Sequence, residues 1–108
     1  MAFVRVCSEK DVPPGEAFLA ESDVGPVALF NVDGEFFAIE DTCSHGQWSL
    51  ADGYLTGDQI ECTLHMAKFC VRTGKACSLP ATKPVKIFPV ERQGEDVLID
   101  FDAGHFAA

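Results

Sequence analysis

Long apolar runs are missing from this 108-residue chain. No stretch approaches the eighteen or more consecutive apolar residues that a membrane span requires. Met1-Ala2-Phe3-Val4-Arg5-Val6 turns polar too soon to be an export signal. Positive charge is also scarce: eight Lys and Arg stand against seventeen Asp and Glu, a formal net charge of −9. That balance argues against nucleic acid or an anionic membrane surface as a partner. Helical patterning is lacking, since no segment repeats its apolar residues at helical spacing over three turns. Internal repeats and low-complexity segments are lacking too. Histidine is confined to His45, His65 and His105. These absences leave one domain, residues 1–108, in the cytoplasm, with neither room nor signals for a second unit.

What is present is short, β-prone and punctuated by Gly and Pro. Val27–Val32 and Glu35–Ile39 flank Asp33-Gly34, a pairing that predicts a hairpin closed by a type I′ turn. Phe3–Val6, Gln59–Thr63, Lys68–Arg72 and Val85–Val90 also read as strands, with Thr73-Gly74 as a turn. Gln93-Gly94 leads into Val97–Phe101 as a further hairpin. Ala103–Ala108 reads as a loosely packed end. The expected class is all-β, built of antiparallel strands.

Charge is uneven along this pattern. Residues 1–61 carry twelve acids against Arg5 and Lys10, whereas residues 62–90 carry Lys68, Arg72, Lys75, Lys83 and Lys86 and no acid. Ordinary solvated loops explain the basic stretch, and a basic rim facing a partner is the sharper alternative. The five cysteines are odd in number and lack an export signal, so metal ligation and free thiols are expected in preference to a disulfide framework.

Two motifs stand where the strand pattern breaks: Cys43-Ser44-His45 and Cys62-Thr63-Leu64-His65, with sixteen residues between His45 and Cys62. Each supplies one thiolate and one imidazole. Two Cys and two His suit a Rieske-type [2Fe–2S] centre, with cysteines on one iron and histidines on the other. A single tetrahedral zinc uses the same donor set but usually pairs Cys with Cys and His with His. Here each half is mixed, so iron–sulfur is the expected occupant and zinc the alternative. Neutral imidazoles leave the oxidised cluster with no net charge, so it accepts an electron more readily than an all-cysteine cluster. The free ring nitrogens of His45 and His65 are then the expected entry and exit for the electron. Once those two are spent, His105 alone remains, too few for an oxygenase iron, and no triad or nucleotide fingerprint is left. The expected role is carrier, not enzyme.

The chain resembles the Rieske-type ferredoxins of bacterial aromatic-ring dioxygenase systems, such as those acting on biphenyl, toluene and cumene. The resemblance rests on Phe30-Asn31-Val32-Asp33-Gly34-Glu35, Cys43-Ser44-His45-Gly46, Trp48-Ser49-Leu50, Glu61-Cys62, Leu64-His65-Met66, Lys68–Lys75 and Lys86-Ile87-Phe88-Pro89. It covers essentially the whole chain. It implies antiparallel sheets with a cluster-binding subdomain formed by two loops, about residues 42–50 and 61–69. It also implies single-electron transfer from an NADH-dependent flavoprotein ferredoxin reductase to a terminal oxygenase, both docking transiently near His45 and His65. A Rieske-like small subunit of a larger redox enzyme, such as nitrite reductase, is the alternative role.

Respiratory Rieske proteins differ at four places. Their extra disulfide would need cysteines where Trp48 and Leu64 stand, and their sulfur-directed hydroxyls would replace Ala67 and Phe69. Fewer donors leave more negative charge on sulfur, which predicts a potential near the low end of the Rieske range, about −150 mV. Gly46 is expected to allow close backbone approach to the cluster. Trp48, Gln47 and Met66 are candidates for the docking patch, a local hydrophobic lid being the alternative for Trp48 and plain loop geometry for the other two; Ser78-Leu79-Pro80-Ala81 resembles the family's covering loop, with an ordinary turn as its alternative.

Overall fold

The computed structural model describes residues 3–42, 49–62, 67–77 and 83–107. Among them no α-helix occurs, and the strands are β1 (Val4–Ser8), β2 (Ala17–Ser22), β3 (Gly25–Val32), β4 (Glu35–Glu40), β5 (Tyr54–Thr56), β6 (Gln59–Glu61), β7 (Lys68–Cys70), β8 (Ile87–Phe88), β9 (Val90–Gln93) and β10 (Asp96–Ile99). They form three antiparallel sheets, ordered β1-β10-β9, β2-β3-β4-β8 and β5-β6-β7. The all-β, antiparallel expectation holds.

The middle layer is the sheet containing β3 and β4, and its sequence explains why. Successive strand residues face opposite sides, and both sides of β3 are buried. Ala28, Phe30 and Val32 join one buried cluster with Ile39, Leu50, Ile60, Cys62, Ala67, Phe69, Val71 and Val85. Val27 and Leu29 join the other with Cys7, Val12, Ala20, Ala38, Phe88, Val97 and Ile99. A strand covered on both faces reads as a near-continuous apolar run, and Val27-Ala28-Leu29-Phe30 is that run. Phe30, Leu29 and Ile39 are fully buried, each contributing about 1.5–3 kcal/mol of transfer free energy. The first cluster therefore joins the middle sheet to β5-β6-β7, and the second joins it to β1-β10-β9.

The β3–β4 turn is as expected: Asp33 (φ 52°) and Gly34 (φ 96°) are both left-handed, as a type I′ turn requires. Buried Asn31 serves it from within the strand. Its Oδ1 accepts the Gly34 N–H at 2.8 Å and its Nδ2 donates to the Val12 carbonyl at 2.7 Å.

Other boundaries depart from the sequence pattern. Strand β2 is not among the expected strands, and Ala17-Phe18-Leu19-Ala20-Glu21 is rich in helix formers. It exists because β3 offers it a partner in continuous register, Ala17↔Phe30 to Ser22↔Gly25. Strand β5 was also unforeseen. The expected Val85–Val90 strand is split at Pro89, which has no N–H for a ladder. Ile87-Phe88 pairs with β4, and Val90 then pairs with Ile99 in a different sheet. The β9–β10 turn falls at Gly94-Glu95, one residue later than expected, with Gly94 at φ 62°.

The C-terminal end is docked, not loose, through His105. Ile87 N–H donates to the His105 carbonyl at 2.8 Å, and His105 N–H donates to the Ile87 carbonyl at 3.0 Å. Gly104 permits this approach, since a Cβ there would stand 2.5 Å from the Phe88 ring. Overpacking of that kind typically costs about 1–3 kcal/mol. Gly104→Ala should lower unfolding stability by about that much in a denaturant titration, and an unchanged midpoint would contradict the docking. No helix among the described residues is long and apolar enough to cross a membrane.

Candidate metal centre

Of the four expected ligands, Cys62 lies among the described residues. Cys43, His45 and His65 lie outside them, as do Gly46, Gln47, Trp48, Leu64, Met66 and Ser78–Ala81. The structure does define the stems on which those segments are mounted.

The first stem continues β4. Thr42 and Ser49 form an antiparallel bridge across residues 43–48, and the Leu50 N–H donates to the Asp41 carbonyl at 2.7 Å. Asp41 is buried, 4% exposed, and its Oδ1 accepts both the Ser49 hydroxyl and the Ala51 N–H at 2.8 Å. Its own N–H donates to the Pro26 carbonyl at 3.1 Å, tying the stem to the start of β3. A buried carboxylate is costly unless its acceptors are filled, and these donors fill one of its oxygens twice. Nothing in the sequence pattern flags Asp41. The available signal was an acid two residues before a candidate ligand, facing a Ser that opens the 3-10 turn Leu50–Asp52.

The second stem is the β6–β7 hairpin, with Glu61 opposite Lys68. Cys62 follows β6, and its N–H donates to the Ala67 carbonyl at 2.7 Å, closing the chain around residues 63–66. Cys62, Ala67 and Phe69 are fully buried. Leu50, which follows the first stem, belongs to the same buried cluster, so both stems are anchored in one piece of core. A third strand-like segment lies beside β7: Ala76 bridges Phe69, and the Cys77 N–H donates to the Lys68 carbonyl at 2.6 Å. Residues 78–82 follow from there. Gly74 (φ 74°) makes this return possible, because a Cβ there would stand 2.2 Å from the Val85 carbonyl oxygen.

The donor chemistry at this end fits an iron–sulfur centre. A thiol sits at the mouth of a short loop, screened by apolar side chains, and the second motif-bearing segment springs from the same cluster. Among the described residues no three metal-binding side chains gather, since the other expected ligands lie outside them. The remaining cysteines are placed elsewhere or as free thiols. Cys7 is buried in the opposite cluster, Cys70 is half-buried and Cys77 exposed, and none is bridged. Burial pushes the Cys7 thiol pKa up, and it does the same at Cys77, where the neighbouring Cys70 adds to it. Both shifts favour the thiol over the metal-binding thiolate.

Two of the five bases in the basic stretch have acidic partners. Arg72 lies 3.3 Å from Asp58 and 3.6 Å from Glu35, with its guanidinium 4.7 Å from the Phe37 ring centroid. Lys68 Nζ is 3.9 Å from Glu61. These pairings favour the solvated reading over a free basic rim at those two residues.

Comparison with known proteins gives one consistent result. Residues 2–89 match the family model described as the Rieske [2Fe–2S] domain. The biphenyl dioxygenase ferredoxin subunit of Pseudomonas sp. (strain KKS102) is 57% identical over 102 residues, covering 94% of either chain. The ferredoxin component of biphenyl 2,3-dioxygenase from Rhodococcus jostii (strain RHA1) is 53% identical over 104 residues, 96% of this chain and 97% of that one. Among solved structures, a chain from the complex of reduced oxygenase and oxidized ferredoxin in carbazole 1,9a-dioxygenase superposes with a TM-score of 0.86 at 39% identity, covering 90% of this chain and 91% of that one.

Proposed function

This chain belongs to the Rieske [2Fe–2S] domain family, and from that premise we propose that it is the ferredoxin of an aromatic-ring dioxygenase system, a single domain over residues 1–108 that works in the cytoplasm. It is an electron-transfer component and not itself catalytic, and its cofactor is one Rieske-type [2Fe–2S] cluster. Cys43 and Cys62 are assigned to one iron, His45 and His65 to the other. When bound, the cluster accepts and releases one electron at a time.

The chain's residues serve that chemistry by position. Buried Cys62 presents its thiol from a hairpin end whose backbone is closed by Ala67. The Asp41–Ser49 contact holds together the stem that carries Cys43 and His45. Apolar Leu50, Ile60 and Phe69 exclude water from the protein side. The outer nitrogens of His45 and His65 are the proposed points of contact with a partner. The donor is an NADH-dependent flavoprotein ferredoxin reductase and the acceptor a terminal oxygenase, each docking transiently near those histidines. A potential of about −150 mV, at the low end of the Rieske range, suits a carrier placed between a reduced flavin and an oxygenase.

One observation carries this reading: near-full-length identity to ferredoxin components, in a chain whose two stems mount Cys-x-His and Cys-x-x-His on a shared core. The test is reconstitution. With a flavoprotein reductase and terminal oxygenase of a biphenyl system, the purified holoprotein should support NADH-dependent substrate oxidation, and omitting it should abolish turnover. Its reduced form should give a Rieske-type EPR signal. A colourless, EPR-silent zinc protein, or failure to accept electrons from the reductase, would overturn the proposal.

A further inference from the structure

The pair Asp41 and Ser49 does something the ligand motifs do not require. Two donors from the far side of residues 43–48 converge on a single oxygen, Asp41 Oδ1: the Ser49 hydroxyl and the Ala51 N–H, both at 2.8 Å. The backbone repeats the tie, through the Leu50 N–H to the Asp41 carbonyl at 2.7 Å and the Thr42–Ser49 bridge. Cys43 is the residue after Thr42, so the clamp closes the stem one residue before the first expected ligand. The stem is held to the body by the Asp41 N–H on Pro26 and by buried Leu50.

A backbone bridge alone fixes the separation of two strands. The side-chain clamp adds something different: it draws the chain at Ser49–Ala51 back toward Asp41 as a 3-10 turn begins at Leu50. Ligands must be held to within about half an ångström of their working geometry, and the supporting hydrogen bonds do that holding. We propose that Asp41 is a positioning residue for the first ligand loop, acting as a double hydrogen-bond acceptor through one oxygen, with Ser49 as its partner. The inference rests on the assignment of Cys43 and His45 as ligands.

The convergence on one oxygen gives a sharp test. An asparagine carbonyl oxygen accepts the same two donors, so Asp41→Asn keeps the clamp while removing the charge and turning the second oxygen into an N–H donor. Asp41→Ala removes the acceptor and strands a part-buried hydroxyl and N–H. Ser49→Ala deletes one bond at a half-buried position and leaves the core intact. Each variant of the full chain is purified, its iron and sulfide per chain measured, and the EPR spectrum of the reduced, loaded fraction recorded. Asp41→Asn should match the parent in iron content and g-values. Asp41→Ala should lose at least half its iron and show shifted or broadened g-values in what remains, and Ser49→Ala should shift the same features in the same direction to a smaller extent.

If Asp41→Ala fails to fold, the Ser49→Ala spectrum and the Asp41→Asn match still decide the matter. Parent-like g-values and iron content in Asp41→Ala and Ser49→Ala, with only a lower melting temperature, would overturn the proposal. So would an Asp41→Asn protein as defective as Asp41→Ala, since the double acceptor alone would then not position the loop. A Cys43→Ala control separates the two layers. If that variant keeps the native spectrum, the ligand assignment itself fails, whereas loss there with a normal Asp41→Ala spectrum sinks only the clamp.

Discussion

Alanine in place of His45 or His65 is expected to eliminate the native cluster spectrum altogether, not to weaken it. An iron with two protein ligands has no redundancy, and no other imidazole stands ready. His105 is held by backbone bonds to Ile87, with its Nδ1 3.0 Å from the Ala103 carbonyl. Cys7 is no ready substitute, since it lies in the opposite core and burial raises its thiol pKa. Substitution of histidine by cysteine is the informative companion. Each imidazole replaced by a thiolate adds one negative charge, so any cluster retained should have a sharply lower potential and an altered EPR signature. Absorption, iron content and EPR on the purified variants check both arms. A native spectrum surviving either alanine change would show that the ligand set is wrong.

That result is expected from the sequence alone because ligand chemistry is local. A Cys and a His at fixed short spacing declare themselves whatever surrounds them. The β3–β4 hairpin was legible for the same reason, since Asp33-Gly34 encodes its turn and the apolar run of β3 encodes burial on both faces. What escaped depends on partners outside the segment's own pattern. Strand β2 is made a strand by Phe30, Leu29 and Val27 opposite it, against its own composition. Pro89 was visible, yet its effect, handing the chain from one sheet to another, needs the positions of both sheets. Asp41 looks like any loop acid until the chain returns at Ser49 and Ala51 to place two donors on it. The ends of the ligand loops are thus readable as chemistry, and the supports beneath them only as tertiary structure.

The reduction potential is where those supports should show most clearly. Ala67 and Phe69 are both fully buried, in the same cluster as Cys62, and neither side chain offers a donor. Ala67 already holds the second stem through its carbonyl, 2.7 Å from the Cys62 N–H. A hydroxyl introduced at either position would enter an apolar environment. Left unpaired, it would cost about 1–3 kcal/mol, so a nearby sulfur becomes its favoured acceptor. Hydrogen bonds to sulfur withdraw negative charge and stabilise the reduced state. The double variant Ala67→Ser, Phe69→Tyr should therefore raise the midpoint from its expected value of about −150 mV by on the order of 100 mV, within the Rieske range. Phe69→Leu serves as the packing control: it disturbs the same core without adding a donor, and its stability should fall while its potential stays close to the parent's. Spectroelectrochemical titration reads all three. Equal shifts in the leucine and tyrosine variants would assign the effect to packing, and a parent protein titrating at a clearly positive potential would remove the premise. A carrier raised in potential should also still be reduced by the flavoprotein yet pass electrons to the oxygenase more slowly, because the acceptor step has lost driving force.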